Sequence, residues 1–174
     1  MTPDQIDSLI HTAVFGATPE QKGEARHQLL QAGAAVGIRF ASIHDLYMAM
    51  GRGEVSGFTV PAINVRAMAY DTGRAIMRAA KRLNAGAFII EIARPEIGYT
   101  EQRPSEYAAV MVAAALREGF HAPLFLQGDH VQTNAKKYNS PDRDKEVETL
   151  KTLIREEIAA GFFNIGIDTS TLVD

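Results

Sequence analysis

The sequence predicts an α/β protein: the first four βα units of an eight-stranded β/α (TIM) barrel, preceded by an α-helical amino-terminal extension. Two observations carry this. Four short apolar runs end abruptly in polar groups, 58–63 in Asn64, 87–90 in Glu91, 123–128 in Asp129-His130 and 162–167 in Asp168. Three segments of helical period separate them, recurring roughly every 30 to 40 residues as a parallel βαβ series requires. A closed barrel takes about 250 residues, so 174 residues with four strands are expected to be the amino-terminal half of one. An open nucleotide-binding sheet is disfavoured, because no glycine-rich phosphate fingerprint follows any strand.

Residues 1–57 read as a helical extension and 58–174 as the partial barrel. Thr2-Pro3-Asp4-Gln5 and Thr18-Pro19-Glu20-Gln21 each place a capping Thr, a Pro at the first helical position and a Gln three residues after the Thr, so two helices start there. Gly16 and Gly33 are the expected stops. A third helix begins at 42–45 and ends at Gly51-Arg52-Gly53, placed to plug the amino-terminal mouth of a barrel. Strands follow at 58–64, 87–93, 123–128 and 162–168. Helices over 67–83, 106–118 and 145–160 alternate with them, the last two carrying apolar Tyr107, Val110, Met111, Ala114 and Val147, Leu150, Ile154, Ile158 on one face. Both of these end in Gly-Phe, at Gly119-Phe120 and Gly161-Phe162, where a left-handed glycine closes the final turn.

Composition narrows the function classes. The chain is 46% hydrophobic and 22% charged, enough to bury a core. A net charge of -3 without a basic block gives no electrostatic case for nucleic acid or an anionic membrane. No apolar run approaches bilayer length and no secretory leader opens the chain, so a cytoplasmic location is the default expectation. With no cysteine, any metal must be held by His, Asp or Glu. His11, His27 and His44 sit singly on helices and receive no site role.

The chemistry-bearing candidates lie at the strand ends, where β/α barrels place their sites. Asp129 and His130 stand first. Adjacent strand residues point to opposite faces, but a turn of the backbone at the strand end would let both reach one cavity. Alternatively, Asp129 caps the next helix and His130 is a packed core histidine. Long loops are expected after the second and third strands, over 94–103 and 131–143, and such loops are more often functional than incidental. Arg94, Lys136 and Lys137 are candidates for a phosphate, although each lysine taken singly reads as a solvated charge. Glu91 either orients a ligand or pairs with Arg94, and pairing is the expectation.

Four segments, 58–65, 87–92, 124–130 and 161–170, together resemble the first four strands of the class II fructose-bisphosphate or tagatose-bisphosphate aldolases. The likeness covers roughly residues 42–170, and its specific parts are Asp129-His130 and the Gly-Phe…Ile-Asp-x-Ser segment ending in Ser170. It implies a barrel that holds a divalent zinc and cleaves a ketose bisphosphate to dihydroxyacetone phosphate and an aldehyde. His130 would be a zinc ligand and Asp129 the acid/base partner of the substrate hydroxyl, with Asn64, Asp168 and Ser170 near the substrate. Retro-aldol chemistry needs both an electron-withdrawing centre and a proton acceptor, which a His-bound metal and a carboxylate supply. A Schiff-base route is disfavoured because no strand ends in Lys.

The sequence also departs from that family. Glu91-Ile92-Ala93-Arg94 stands where a Ser is usual, Val131-Gln132 stands where Gly is common, and Asp168-Thr169-Ser170 replaces the usual Gly-Ser pair. A catalytic zinc takes three protein ligands, of which this chain offers His130. The other ligands and phosphate loops would belong to later strands. The expected partners are therefore a sugar-phosphate substrate and, for the complete protein, further copies in a homo-oligomer, with the chain alone inactive. The other open reading is a non-catalytic barrel subunit or remnant that binds a partner.

Overall fold

The computed structural model describes residues 1–173; Asp174, the end of the expected 58–174 unit, lies outside the described residues. It is an α/β fold with four parallel strands in the order β1-β2-β3-β4, namely β1 (Ala62–Asn64), β2 (Ile89–Ala93), β3 (Phe125–Val131) and β4 (Phe162–Ile167). Helices α1 (Pro3–Phe15), α2 (Pro19–Ala35) and α3 (His44–Gly51) precede β1. After β1 come α4 (Ala69–Leu83), α5 (Arg94–Thr100), α6 (Pro104–Glu118), α7 (Ala135–Tyr138) and α8 (Arg143–Ala159). No helix among the described residues is long and apolar enough to cross a membrane.

The amino-terminal helices start as their caps dictate. Thr2 accepts from the Gln5 amide at 3.3 Å, and the Gln5 side chain returns the bond to the Thr2 amide at 2.8 Å. Thr18 caps α2 in the same way, but Gln21 reaches past it to the Ala17 amide. Gly16 does end α1. Gly33 does not end α2: it lies inside the last turn, where a Cβ would come within 2.5 Å of Val112 Cγ1, so its role is close helix packing. The chain leaves α2 at Gly37, whose φ of 87° suits glycine.

Two strand boundaries move for identifiable reasons. The first strand is three residues rather than 58–64, because Pro61 has no N–H to donate; its carbonyl accepts from Ile89 N at 2.8 Å and the ladder begins one residue later. The third strand runs beyond 128 to Val131, which is in register with Ile167 and accepts from Asp168 N at 3.3 Å. Asp129 and His130 are therefore inside β3, where its register with β4 shifts between Gly128 and Val131. The expected loops over 94–103 and 131–143 contain α5 and α7. Pro95 opens α5 while Glu96 accepts from Ala93 N at 2.9 Å, and the Asn134 side chain caps α7 at Lys137 N.

The two faces of the sheet differ. Ile63, Ile90, Ile92, Leu126, Phe162 and Ile165 join one apolar core. α6 is its centre: Tyr107 through Ala115 are buried without interruption, as expected for a helix covered all round. α1, α2 and α4 pack on α6, so the extension shares this core with the strand-helix units. A fully buried Met or Leu here contributes roughly 1.5–3 kcal/mol. On the opposite face Asn64, Glu91, Gln127 and Asn164 stand in register across all four strands, forming a polar row.

Candidate active site at the strand ends

The polar row leads to the carboxyl ends of β3 and β4. Gln127 Nε2 donates to Glu91 Oε2 at 2.9 Å, whereas Asn64 Nδ2 donates to Glu96 Oε2 at 2.8 Å. The same Glu96 oxygen accepts from Ala93 N, and Arg66 stands 3.6 Å from the other oxygen. Asn64 is thus fixed by α5. The expected Glu91–Arg94 pair does not form, because Arg94 is drawn across to Glu146 Oε1 at 2.8 Å and to the Gln132 carbonyl. Burial first, then the Asp129 charge, raises the Glu91 pKa above the usual carboxylate range.

His130 takes a left-handed backbone, φ 42°, which is uncommon for a residue with a side chain. That turn resolves the parity problem within β3. His130 Nδ1 lies 2.9 Å from Asp168 Oδ2, and its Nε2 lies 3.6 Å from Asp129 Oδ2. Neither alternative for the pair holds: no side-chain bond from Asp129 caps α7, and the His130 side chain is 61% exposed rather than packed in the core. Ser170 contributes its backbone amide, which donates to Asp168 Oδ1 at 2.8 Å. Both oxygens of Asp168 are therefore engaged and its carboxylate plane is set.

These bonds explain the electrostatics. The His130 bond and the Ser170 bonds lower Asp168 to about 2, and the Asp168 bond followed by the Asp129 charge raises His130 above the usual imidazole range. A carboxylate bonded to one ring nitrogen fixes which nitrogen carries the proton and leaves the other, here Nε2, directed at whatever binds there. Among the described residues, no group of three or more His, Asp or Glu is arranged to hold a metal.

Asp129, His130, Asp168 and Ser170 are thus brought together, while Asn64 stands at the far end of the polar row. Arg94 and Lys137 line a cleft of about 340 Å³ with Gln132, Asn134 and Glu146. Arg94 is neutralised there by Glu146. Gln127, Asn164 and Glu96 complete the site's surroundings; the sequence signal for the first two is a polar residue at the same position of each strand, and for Glu96 of α5 it is the acidic residue just after Pro95 at the helix start. No family model matches the chain, and neither a curated protein nor a solved structure matches it.

Proposed function

We propose that these strand ends perform aldol cleavage of a ketose bisphosphate to dihydroxyacetone phosphate and an aldehyde, in a zinc-dependent β/α-barrel lyase. The observation that carries this reading is the Asp129–His130–Asp168 constellation, with an imidazole turned by its backbone between two carboxylates. The sequential parallel strand order, with the apolar core on one face and the polar row on the other, supports a barrel segment.

His130 suits the metal: Asp168 holds Nδ1, which leaves Nε2 as the coordinating nitrogen, one of the three protein ligands a catalytic zinc takes. Bound there, zinc would supply Lewis-acid polarisation of the substrate ketone. The proton falls to Asp129. Its carboxylate, not shared with any arginine or lysine within ion-pair distance among the described residues, accepts the proton of the hydroxyl β to the ketone. As that O–H bond breaks, the oxygen forms the aldehyde carbonyl, the carbon–carbon bond breaks and its electron pair passes towards the ketone. Asp168 keeps the imidazole oriented through the step, and Asn64, held by Glu96, offers its amide oxygen to a substrate hydroxyl.

Zinc titration calorimetry and a fructose- and tagatose-bisphosphate cleavage assay on the complete protein test this. In His130→Ala both zinc affinity and cleavage are lost. In Asp129→Ala zinc is retained and cleavage falls by about 100-fold or more. Zinc binding of wild-type strength in His130→Ala removes the ligand role. Zinc-loaded protein that cleaves neither bisphosphate favours the non-catalytic, partner-binding role instead.

A further inference from the structure

Glu157 on α8 is fully buried, with 0% of its surface exposed, and neither of its carboxyl oxygens has a hydrogen-bond partner. A carboxylate left this way is among the least favourable groups a core can contain, and it moves towards its neutral form. The reason for its position lies on β3. Gly128 faces α8 with no side chain, and a Cβ built there would fall 2.7 and 2.8 Å from the two Glu157 oxygens. The carboxyl occupies the hollow that Gly128 leaves, directly behind the residue that precedes Asp129 and His130.

The charges that act on Glu157 are few. Arg103, ahead of α6, attracts it but is already bonded to Glu156; Glu156, beside it on α8, repels it. β4 carries no ionisable side chain. Tyr107 of α6 directs its hydroxyl to the Glu91 carbonyl, His130 of β3 is turned towards Asp168, and α7 meets α8 at Glu146, about three turns away.

We propose that Glu157 is a proton-dependent positioning residue: its neutral carboxyl seats the Gly128–His130 segment of β3 against α8, and its ionisation displaces that segment. Burial, the dominant influence, pushes its pKa up to about 7, which puts the change near neutrality. The neutral form costs far less than the charged one beside buried Leu153, one turn earlier on α8. A bare charge in that hollow has no cation to meet it, and relief comes by drawing water in or by moving the Gly128 backbone. That this displacement tunes catalysis rests on the aldolase reading; the displacement itself does not.

The test is a carbon-detected NMR titration of the Glu157 carboxyl in the full chain, with the Gly128 and Val131 amides followed from pH 5 to 9. It uses no metal and no substrate, so failure of the complete protein to bind zinc or cleave a bisphosphate counts against the aldolase reading alone. The expected midpoint is near pH 7, shared by both amides. In Glu157→Gln, which keeps the shape without the charge, that component of the amide shifts disappears and leaves only the change that follows the His130 ring. A Glu157 midpoint below pH 5 in wild-type protein overturns the proposal without recourse to any variant. So do Gly128 and Val131 titrations unchanged in Glu157→Gln, which would assign them to His130.

Discussion

His130 Nδ1 stands 2.9 Å from Asp168 Oδ2, so one imidazole–carboxylate bond ties the ends of two adjacent parallel strands together. A left-handed φ at a residue with a Cβ costs of order 1–3 kcal/mol and persists only where its surroundings hold it. The Asp168 bond does so here, and the Ser170 amide holds Asp168 in turn. Strain and restraint coincide at the residue that the proposed chemistry uses.

Removing Asp168 should therefore be read at His130. In Asp168→Ala the imidazole titration midpoint falls towards its ordinary value, since the largest cause of its elevation is gone, and the fixed protonation of Nδ1 gives way to a mixture of tautomers. Nitrogen-15 NMR of the ring measures both. An unchanged midpoint would show that Asp129 alone sets the His130 charge.

The hollow over Gly128 predicts an overpacking defect. Gly128→Ala places a methyl group 2.7 Å from Glu157 Oε1, too close for either group to stay in place. Because the carboxyl is enclosed, the substitution destabilises by about 1–3 kcal/mol in urea unfolding. Adding Glu157→Ala opens the space and recovers part of that loss. Two additive losses would show that the residues do not share the hollow.

Stability should also report the buried carboxyl. Its folded-state pKa of about 7 lies above the ordinary 4.5, so between these values the folded state binds more protons than the unfolded chain, and stability falls as pH rises. Below pH 4.5 the full contribution is present; above pH 7 both states are ionised and the loss is complete. Glu157→Gln lacks this loss. Its stability relative to wild type should climb by about 3 kcal/mol at most between pH 4.5 and 7 and then level off. A difference independent of pH would place a normal carboxylate at this position.

Periodicity and capping made the four strands, the main helices and their order readable, because each depends on residues close in sequence. What escaped depends on contacts across the chain. Gly33 resembles a helix stop until Val112, from a helix far along the chain, is seen against it. Arg94 resembles a partner for its neighbour Glu91 until Glu146 on α8 claims it. The Asp129-His130 pair was visible as a motif, but not the φ of His130 that turns the ring, nor the strand-to-strand bond to Asp168 that holds it. Glu157 was hidden for the opposite reason: a Glu in a charged helix reads as solvated, and only the absent side chain of Gly128 makes room for it inside.

The sheet's edges yield the last expectation. β1 and β4 each pair with one neighbour only, so their outer backbone groups have no ladder partner in the sheet. On β4 the side chains next to that edge are apolar and open, Ile167 at 66% and Phe163 at 48% exposed. An edge that offers both backbone hydrogen bonds and apolar surface is a template for another strand, and each Å² of apolar surface it covers contributes about 25 cal/mol. The 174-residue chain should accordingly associate with itself through β4, with a sedimentation coefficient that rises with concentration. Ile167→Lys puts a charge on the edge and should return the chain to monomer without loss of helix signal, because Ile167 lies outside the core. A wild-type chain that sediments as a monomer across the whole concentration range, with one cooperative unfolding transition, would show that this edge is adequately protected by its own twist and register shift.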